Sequence, residues 1–159
     1  MSNEIQLKTT INGIKYDLMV PARLLASDFL RDNLNLTGTH VGCEHGICGS
    51  CTIKIDGLTA RSCLKFAVQL DGKKVETVES FKEKPETRNI LEKFKAHHSL
   101  QCGFCTPGFL MIIDELLKSK IKFSENEIRE ALSGNLCRCT GYENIIKAAK
   151  EILAHKVIK

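Results

Sequence analysis

The 159-residue chain lacks most of the features that would set it apart from ordinary globular proteins. No apolar run approaches the roughly 18 residues that a membrane-spanning helix needs, so no membrane span is expected. Met1-Ser2-Asn3-Glu4 has no basic stretch followed by an apolar one, which argues against a secretory signal. An excess of one charge is also missing. The 23 Lys and Arg against 19 Asp and Glu leave +4, too mild and too evenly spread for a nucleic-acid surface. Tandem repeats and low-complexity segments are absent as well. Apolar residues at 43% and charged residues at 26% exclude wholesale disorder. What is left is a chain with room for one ordinary domain or two small ones, expected to stay in the cytoplasm unless a partner carries it elsewhere.

Against this plain background, eight cysteines stand out. That is well above ordinary usage, yet short of the roughly 8–10% of small disulfide scaffolds. In a reducing compartment thiols stay reduced, and a chain with this many more often uses them as metal thiolates.

Hydrophobic spacing divides the chain in two. Ile5, Leu7, Thr9 and Ile11 alternate with polar neighbours, as do Ile14, Tyr16, Leu18 and Val20, predicting two strands. Asn12-Gly13 between them is a favoured two-residue hairpin turn, because both residues tolerate positive φ. Residues 24–34 have the spacing of a short helix, and a loop holding Gly42, Gly46 and Gly49 follows. Asp56-Gly57 is a second hairpin signal between residues 52–55 and 58–62, and residues 74–78 are a candidate last strand. This ββαβββ order predicts a small mixed sheet wrapped on one helix. Residues 81–87 are polar, contain Pro85, and read as a linker. Downstream, four helical faces are marked by Ile90, Leu91 and Phe94; by Phe109, Ile113, Leu116 and Leu117; by Ile128, Ala131 and Leu132; and by Ile145, Ala148, Ala149 and Ile152.

Four cysteines fall in each half. Cys43-x4-Cys48-x2-Cys51, with Cys63 eleven residues further on, begins with the plant-type ferredoxin spacing for a [2Fe–2S] cluster. The glycines among them permit the close approaches and inward amides that an anionic cluster requires. Cys63 nevertheless lies much nearer to Cys51 than in a stand-alone plant ferredoxin. The second set is Cys102-x2-Cys105 and, 31 residues later, Cys137-x1-Cys139. By spacing alone this set fits zinc as well as iron–sulfur. Thr106-Pro107 reads as an N-cap and first helical residue, and Thr140 with Glu143 as a capping box. Both pairs are therefore expected at helix N-termini, whose positive ends favour thiolates and an anionic centre of either kind.

Three segments carry a resemblance to a known family. Gly-Cys-Glu-His-Gly-Ile-Cys-Gly-Ser-Cys (42–51), Gln-Cys-Gly-Phe-Cys-Thr-Pro-Gly (101–108) and Gly-Asn-Leu-Cys-Arg-Cys-Thr-Gly-Tyr (134–142) resemble the iron–sulfur subunit of the xanthine oxidase family of molybdenum hydroxylases. The resemblance runs from the first strand to about Leu153, and in that family the close spacing of Cys51 and Cys63 is normal. It implies an α+β fold, with an N-terminal β-grasp ferredoxin domain (residues 1–80) and a C-terminal all-α four-helix [2Fe–2S]-binding domain (residues 81–159). It implies two [2Fe–2S] clusters, resolving the metal at the second set. It further implies a large partner subunit with a molybdopterin-type cofactor, a medium partner subunit with FAD, and a dimer of such heterotrimers. On this resemblance Cys102, Cys105, Cys137 and Cys139 hold the cluster nearer molybdenum, while Cys43, Cys48, Cys51 and Cys63 hold the cluster nearer flavin. On the same resemblance Gln101 and Cys102 occupy positions that in relatives lie beside the pterin. The implied role is electron transfer, one electron at a time from the molybdenum centre through both clusters to FAD.

Other residues have plainer readings. His45 is expected to face solvent, since four cysteines already serve its loop. His97 and His98, after the apolar face of a helix, are expected as surface or interface groups near its C-terminus. Arg138 either offsets cluster charge or joins a subunit interface, and Lys147, Lys150, Lys156 and Lys159 form a solvated tail. The rival readings are a free two-cluster ferredoxin, usually strongly acidic where this chain is mildly basic, and a zinc-stabilised interaction module.

Overall fold

The sheet is organised by its two tight turns. Asn12 and Gly13 take φ of 50° and 84°, the left-handed torsions that match the twist of a hairpin. They close β1 (Glu4–Ile11) onto β2 (Ile14–Pro21) in register from Ile11↔Ile14 to Glu4↔Pro21. Asp56 and Gly57, at 51° and 90°, do the same for β3 (Thr52–Ile55) and β4 (Leu58–Arg61). In the computed structural model, which describes residues 3–154, β5 (Lys74–Glu76) slots between the hairpins. It runs parallel to β1 and antiparallel to β3, giving a mixed five-stranded sheet of order β2-β1-β5-β3-β4. Ser62 falls beyond β4 in a 3-10 turn, and Val78 beyond β5 in another.

The expected helix over residues 24–34 forms only in part. A single α-turn, α1 (Ala26–Asp28), runs into a π-helical stretch, Phe29–Asn33, closed by Leu34 N–H on the Phe29 carbonyl at 3.2 Å. Phe29 and Leu30 are both fully buried, and with Leu7, Ile11, Val20 and Ile53 they form the core on this side of the sheet.

Four longer helices follow: α2 (Pro85–Ala96), α3 (Thr106–Lys118), α4 (Glu125–Ser133) and α5 (Glu143–Ile152). Their apolar faces meet in a second core around Ile90, Phe94, Phe109, Ile113, Ile128 and Ile145. Residues 81–87 are not the polar linker that the sequence suggested. Phe81 belongs to this second core, Pro85 opens α2, and buried Thr87 donates to the Phe81 carbonyl at 2.8 Å. The buried Phe81 ring ties the segment to the helical core.

The two cores meet through β3. Strand alternation sends Ile53 into the first core and Lys54 to the opposite face, where α3 covers it to 1% exposure. Lys54 Nζ is bonded to Asp114 Oδ2 on α3 and lies 3.1 Å from Glu76 Oε2 on β5. Asp114 is itself 0% exposed and also receives Lys118, at 3.0 Å. Burial works to lower the Lys54 pKa, but Asp114 and Glu76 outweigh it and raise the value. Lys54 is thus the ion-paired rivet between sheet and helices.

The basic tail differs from its reading as well. Lys150 binds Glu125 on α4 rather than extending into solvent, while Lys147 is exposed. Lys156 and Lys159, like Met1 and Ser2, lie outside the described residues. Among the described residues no helix is long and apolar enough to cross a membrane.

Candidate metal centres

All eight cysteines carry free thiols. Hairpin register explains the short spacing between Cys51 and Cys63. Cys51 precedes β3 and Cys63 follows β4, with Thr52 paired to Arg61, so the chain returns to the same end of the ladder. Ser62 seals that end, donating to the Cys51 carbonyl from its N–H at 3.2 Å and its hydroxyl at 2.8 Å. The Cys51 and Cys63 sulfurs stand 3.4 Å apart, both buried. Cys43 and Cys48 come from the glycine loop before β3. There the Cys48 N–H points at Cys43 Sγ from 3.4 Å, joined by the amides of His45 and Ile47. Those amides, the Cys48 N–H foremost, bring the Cys43 pKa down to about 6. Burial and the neighbouring Cys51 push Cys63 up to about 11, although the Gly46 N–H opposes them. His45 is exposed, as expected, and serves the loop through its backbone.

In the second set Cys102 and Cys139 are exposed with sulfurs 3.5 Å apart, while Cys105 and Cys137 pair with each other beneath them, each 8% exposed. Burial, then Cys137, pushes Cys105 up to about 12. Cys137 moves the other way. Burial works to raise it, but the Thr140 hydroxyl and the amides of Cys139 and Thr140 prevail and lower it. The helix-terminus expectation holds only for Cys105, which is itself the N-cap of α3, with Thr106 already helical. Cys139 stands well before α5, whose N-cap is Tyr142 in the left-handed region at φ 67°. The expected Thr140–Glu143 capping box is absent from this turn. Instead Thr140 Oγ1 donates to Cys137 Sγ at 3.1 Å and accepts the Tyr142 N–H at 3.2 Å, and the Tyr142 hydroxyl accepts the Cys137 N–H at 2.9 Å. The left-handed torsion at Tyr142 accounts for the difference, because it turns residues 140–142 back over the cysteine instead of onward into the helix.

The loops carrying the two sets are seated on each other. The Leu136 N–H donates to the Cys48 carbonyl at 2.9 Å, and Arg61 reaches the Gly134 carbonyl at 2.7 Å. A β-carbon on Gly49 (φ 76°) would collide with Asn135, and one on Gly108 with the Gly49 carbonyl. The Phe104 ring lies against Gly42 and stacks on His40 at 4.8 Å, with His40 Nδ1 2.7 Å from the Phe104 carbonyl. Sequence reasoning missed His40, Arg61 and Asn135. Nothing local marks them, because their partners lie 64, 73 and 86 positions away. Gln101 and Arg138 are exposed at the rim of the second set.

The thiols fall into four pairs, Cys43 with Cys48, Cys51 with Cys63, Cys102 with Cys139, and Cys105 with Cys137. A dinuclear cluster takes two protein ligands on each iron, the number of thiols that two such pairs supply. Two sets of four free thiols, with backbone amides turned toward several of the sulfurs, define the class: a metal-thiolate protein with two centres.

Comparison with known proteins agrees. A family described as "2Fe-2S iron-sulfur cluster binding domain" matches residues 32–99, and one described as "[2Fe-2S] binding domain" matches residues 77–150. The chain is 51% identical to caffeine dehydrogenase subunit gamma of Pseudomonas sp. (strain CBB1), over 96% of this chain and 92% of that protein. It is similar to a chain of quinoline 2-oxidoreductase from Pseudomonas putida 86, with a TM-score of 0.90 and 46% identity, covering 97% of this chain and 96% of that one. Aldehyde oxidoreductase from Desulfovibrio gigas matches with a TM-score of 0.86 and 37% identity, over 94% of this chain but only 17% of its own. The chain belongs to the small iron–sulfur subunits of the xanthine oxidase family of molybdenum hydroxylases, which serve electron transfer in oxidoreductase complexes.

Proposed function

We propose that Cys43, Cys48, Cys51 and Cys63 hold one [2Fe–2S] cluster and that Cys102, Cys105, Cys137 and Cys139 hold the other. Each cluster would supply one-electron redox chemistry, so the pair carries electrons singly between the molybdenum cofactor and FAD of partner subunits. The chain's own work is to fix the order of the two sites, exclude water from the inner thiols and direct amides at the sulfurs. The observation that carries this reading is the pairing of the thiols, together with the Leu136 N–H to Cys48 carbonyl bond that joins the two loops.

Direction follows from exposure. Cys102 and Cys139 sit at the surface beside Gln101, among the exposed apolar side chains of Leu100, Phe104 and Leu136. This edge is the candidate contact with the pterin of a large subunit, with Gln101 and Cys102 nearest to it. The set at residues 43–63 then faces a flavin subunit. In this reading residues 1–80 are a β-grasp ferredoxin domain and residues 81–159 a four-helix cluster-binding domain. The chain works in the cytoplasm in a dimer of heterotrimers, and its substrate is selected by the large subunit.

Metal and sulfide analysis of the purified complex tests the assignment. Four iron and four acid-labile sulfide per chain are expected, and two iron with one zinc would overturn it. Cys48→Ser and Cys137→Ser should each abolish a different paramagnetic signal. Loss of the same signal in both would refute the division into two sets.

A further inference from the structure

At the first set the sulfurs receive backbone amides, which no side-chain substitution removes. The second set adds a donor of another kind. Thr140 Oγ1 lies 3.1 Å from Cys137 Sγ, the one hydroxyl donor to a sulfur among the described residues. The same oxygen accepts the Tyr142 N–H at 3.2 Å. A hydroxyl has a single proton, and with its oxygen engaged by that amide the proton is directed at the sulfur. The Cys137 N–H is drawn away to the Tyr142 hydroxyl, at 2.9 Å. Both contacts depend on Tyr142 adopting φ 67°, a conformation that costs a residue with a β-carbon about 1 kcal/mol or more. Thr140 is not spent on capping, since α5 starts from Tyr142 without a side-chain cap.

We propose that Thr140 is a positioning residue that sets the reduction potential of the second cluster through its hydroxyl on Cys137. The proposal rests on the assignment of Cys137 as a ligand. Reduction adds negative charge, part of which resides on the sulfurs. A donor aimed at a sulfur therefore stabilises the reduced form more than the oxidised one and raises the potential. Cys137 is 8% exposed, so little water competes for the bond. A hydroxyl at this position holds the second cluster in a range where it can accept electrons from the molybdenum side. It also allows that range to be changed by one side chain without rebuilding the loop.

The test is potentiometric titration of both paramagnetic signals in the purified complex. Thr140→Val should keep full iron content and leave the first signal at its native potential. The reduction equilibrium of the second cluster should fall about tenfold, which for one electron is about 59 mV. Thr140→Ser, which restores the hydroxyl, should return the second cluster to its native potential. If Thr140→Val costs iron, Thr140→Ala against Thr140→Ser decides the question by the same readout. An unchanged potential in the variants without a hydroxyl, or a serine variant that falls as far as they do, overturns the proposal. If the ligand assignment is at fault instead, Cys137→Ser leaves both signals intact, so the two failures are distinguishable.

Discussion

The two thiol sets are held by different parts of the chain's chemistry. Around Cys43, Cys48, Cys51 and Cys63 the scaffold is backbone: a glycine loop, a hairpin in strict register, and amides of residues 45–48 turned toward sulfur. Around Cys102, Cys105, Cys137 and Cys139 backbone amides are joined by side chains and a helix end, with Thr140 and Tyr142 wrapped over Cys137 and two thiols left at the surface. A backbone-built site resists change, because the amides stay whatever the side chains are. A site built partly from side chains can be adjusted one residue at a time.

The contrast is broken most severely where the two sites touch. Gly49→Ala places a β-carbon at φ 76° against Asn135, and strain with overpacking should cost roughly 2–6 kcal/mol. Urea unfolding should show it, with cluster content lost from both halves. Native stability with both clusters retained would mean that the loops do not depend on each other.

Next in size is the ion pair between sheet and helices. Asp114→Ala leaves Lys54 buried and charged without its main partner, a change expected to cost about 3–5 kcal/mol. Lys54→Met combined with Asp114→Leu should recover most of that loss. If the double variant were as unstable as the single one, packing rather than charge would join the halves.

Glu76 gives a smaller, pH-dependent effect on the sheet side. Burial works to raise its pKa, but Lys84 at 2.8 Å and Lys54 at 3.1 Å prevail and lower it from 4.5 to about 2. A carboxylate depressed on folding contributes stability above its unfolded value. That contribution is present above pH 4.5 and is lost as pH falls toward 2. With the side chain 30% exposed, screening leaves about 1 kcal/mol. Glu76→Gln should flatten the stability curve between pH 5 and pH 3, and an unaltered slope would assign the effect to other groups.

The smallest effect on the chain itself is expected at Gln101. Because Gln101 is exposed, Gln101→Glu should change the stability of the isolated subunit by no more than about 0.5 kcal/mol. In the assembled complex the new carboxylate should slow reduction of the second cluster by substrate or weaken assembly, because an unpaired buried charge costs several kcal/mol. A fully active, normally assembled variant would place the pterin contact elsewhere.

Much of this architecture is written in short-range pattern. The Asn12-Gly13 and Asp56-Gly57 turns, the ββαβββ order and the four later helices all follow from torsional preference and periodicity. The grouping of the cysteines by loop was equally legible, because spacing within a loop is a local property, whereas the meeting of Cys51 with Cys63 and of Cys102 with Cys139 joins separate segments. Local signals also misled. Pro85 in a polar stretch suggested a linker, but the burial of Phe81 made it part of the helical core. Thr140 and Glu143 had the spacing of a capping box, but the left-handed turn at Tyr142 redirected the hydroxyl to sulfur.

By itself, then, the sequence determined the turns, the helix faces and which thiols share a loop, all interactions between residues a few positions apart. The tertiary structure alone decided that Lys54 is buried on Asp114, that Gly49 lies under Asn135, and that Leu136 hands its N–H to Cys48. These partners are 60, 86 and 88 positions apart. Their meeting depends on how the second face of the sheet receives α3, and that docking is governed by total burial and steric fit rather than by local backbone preference.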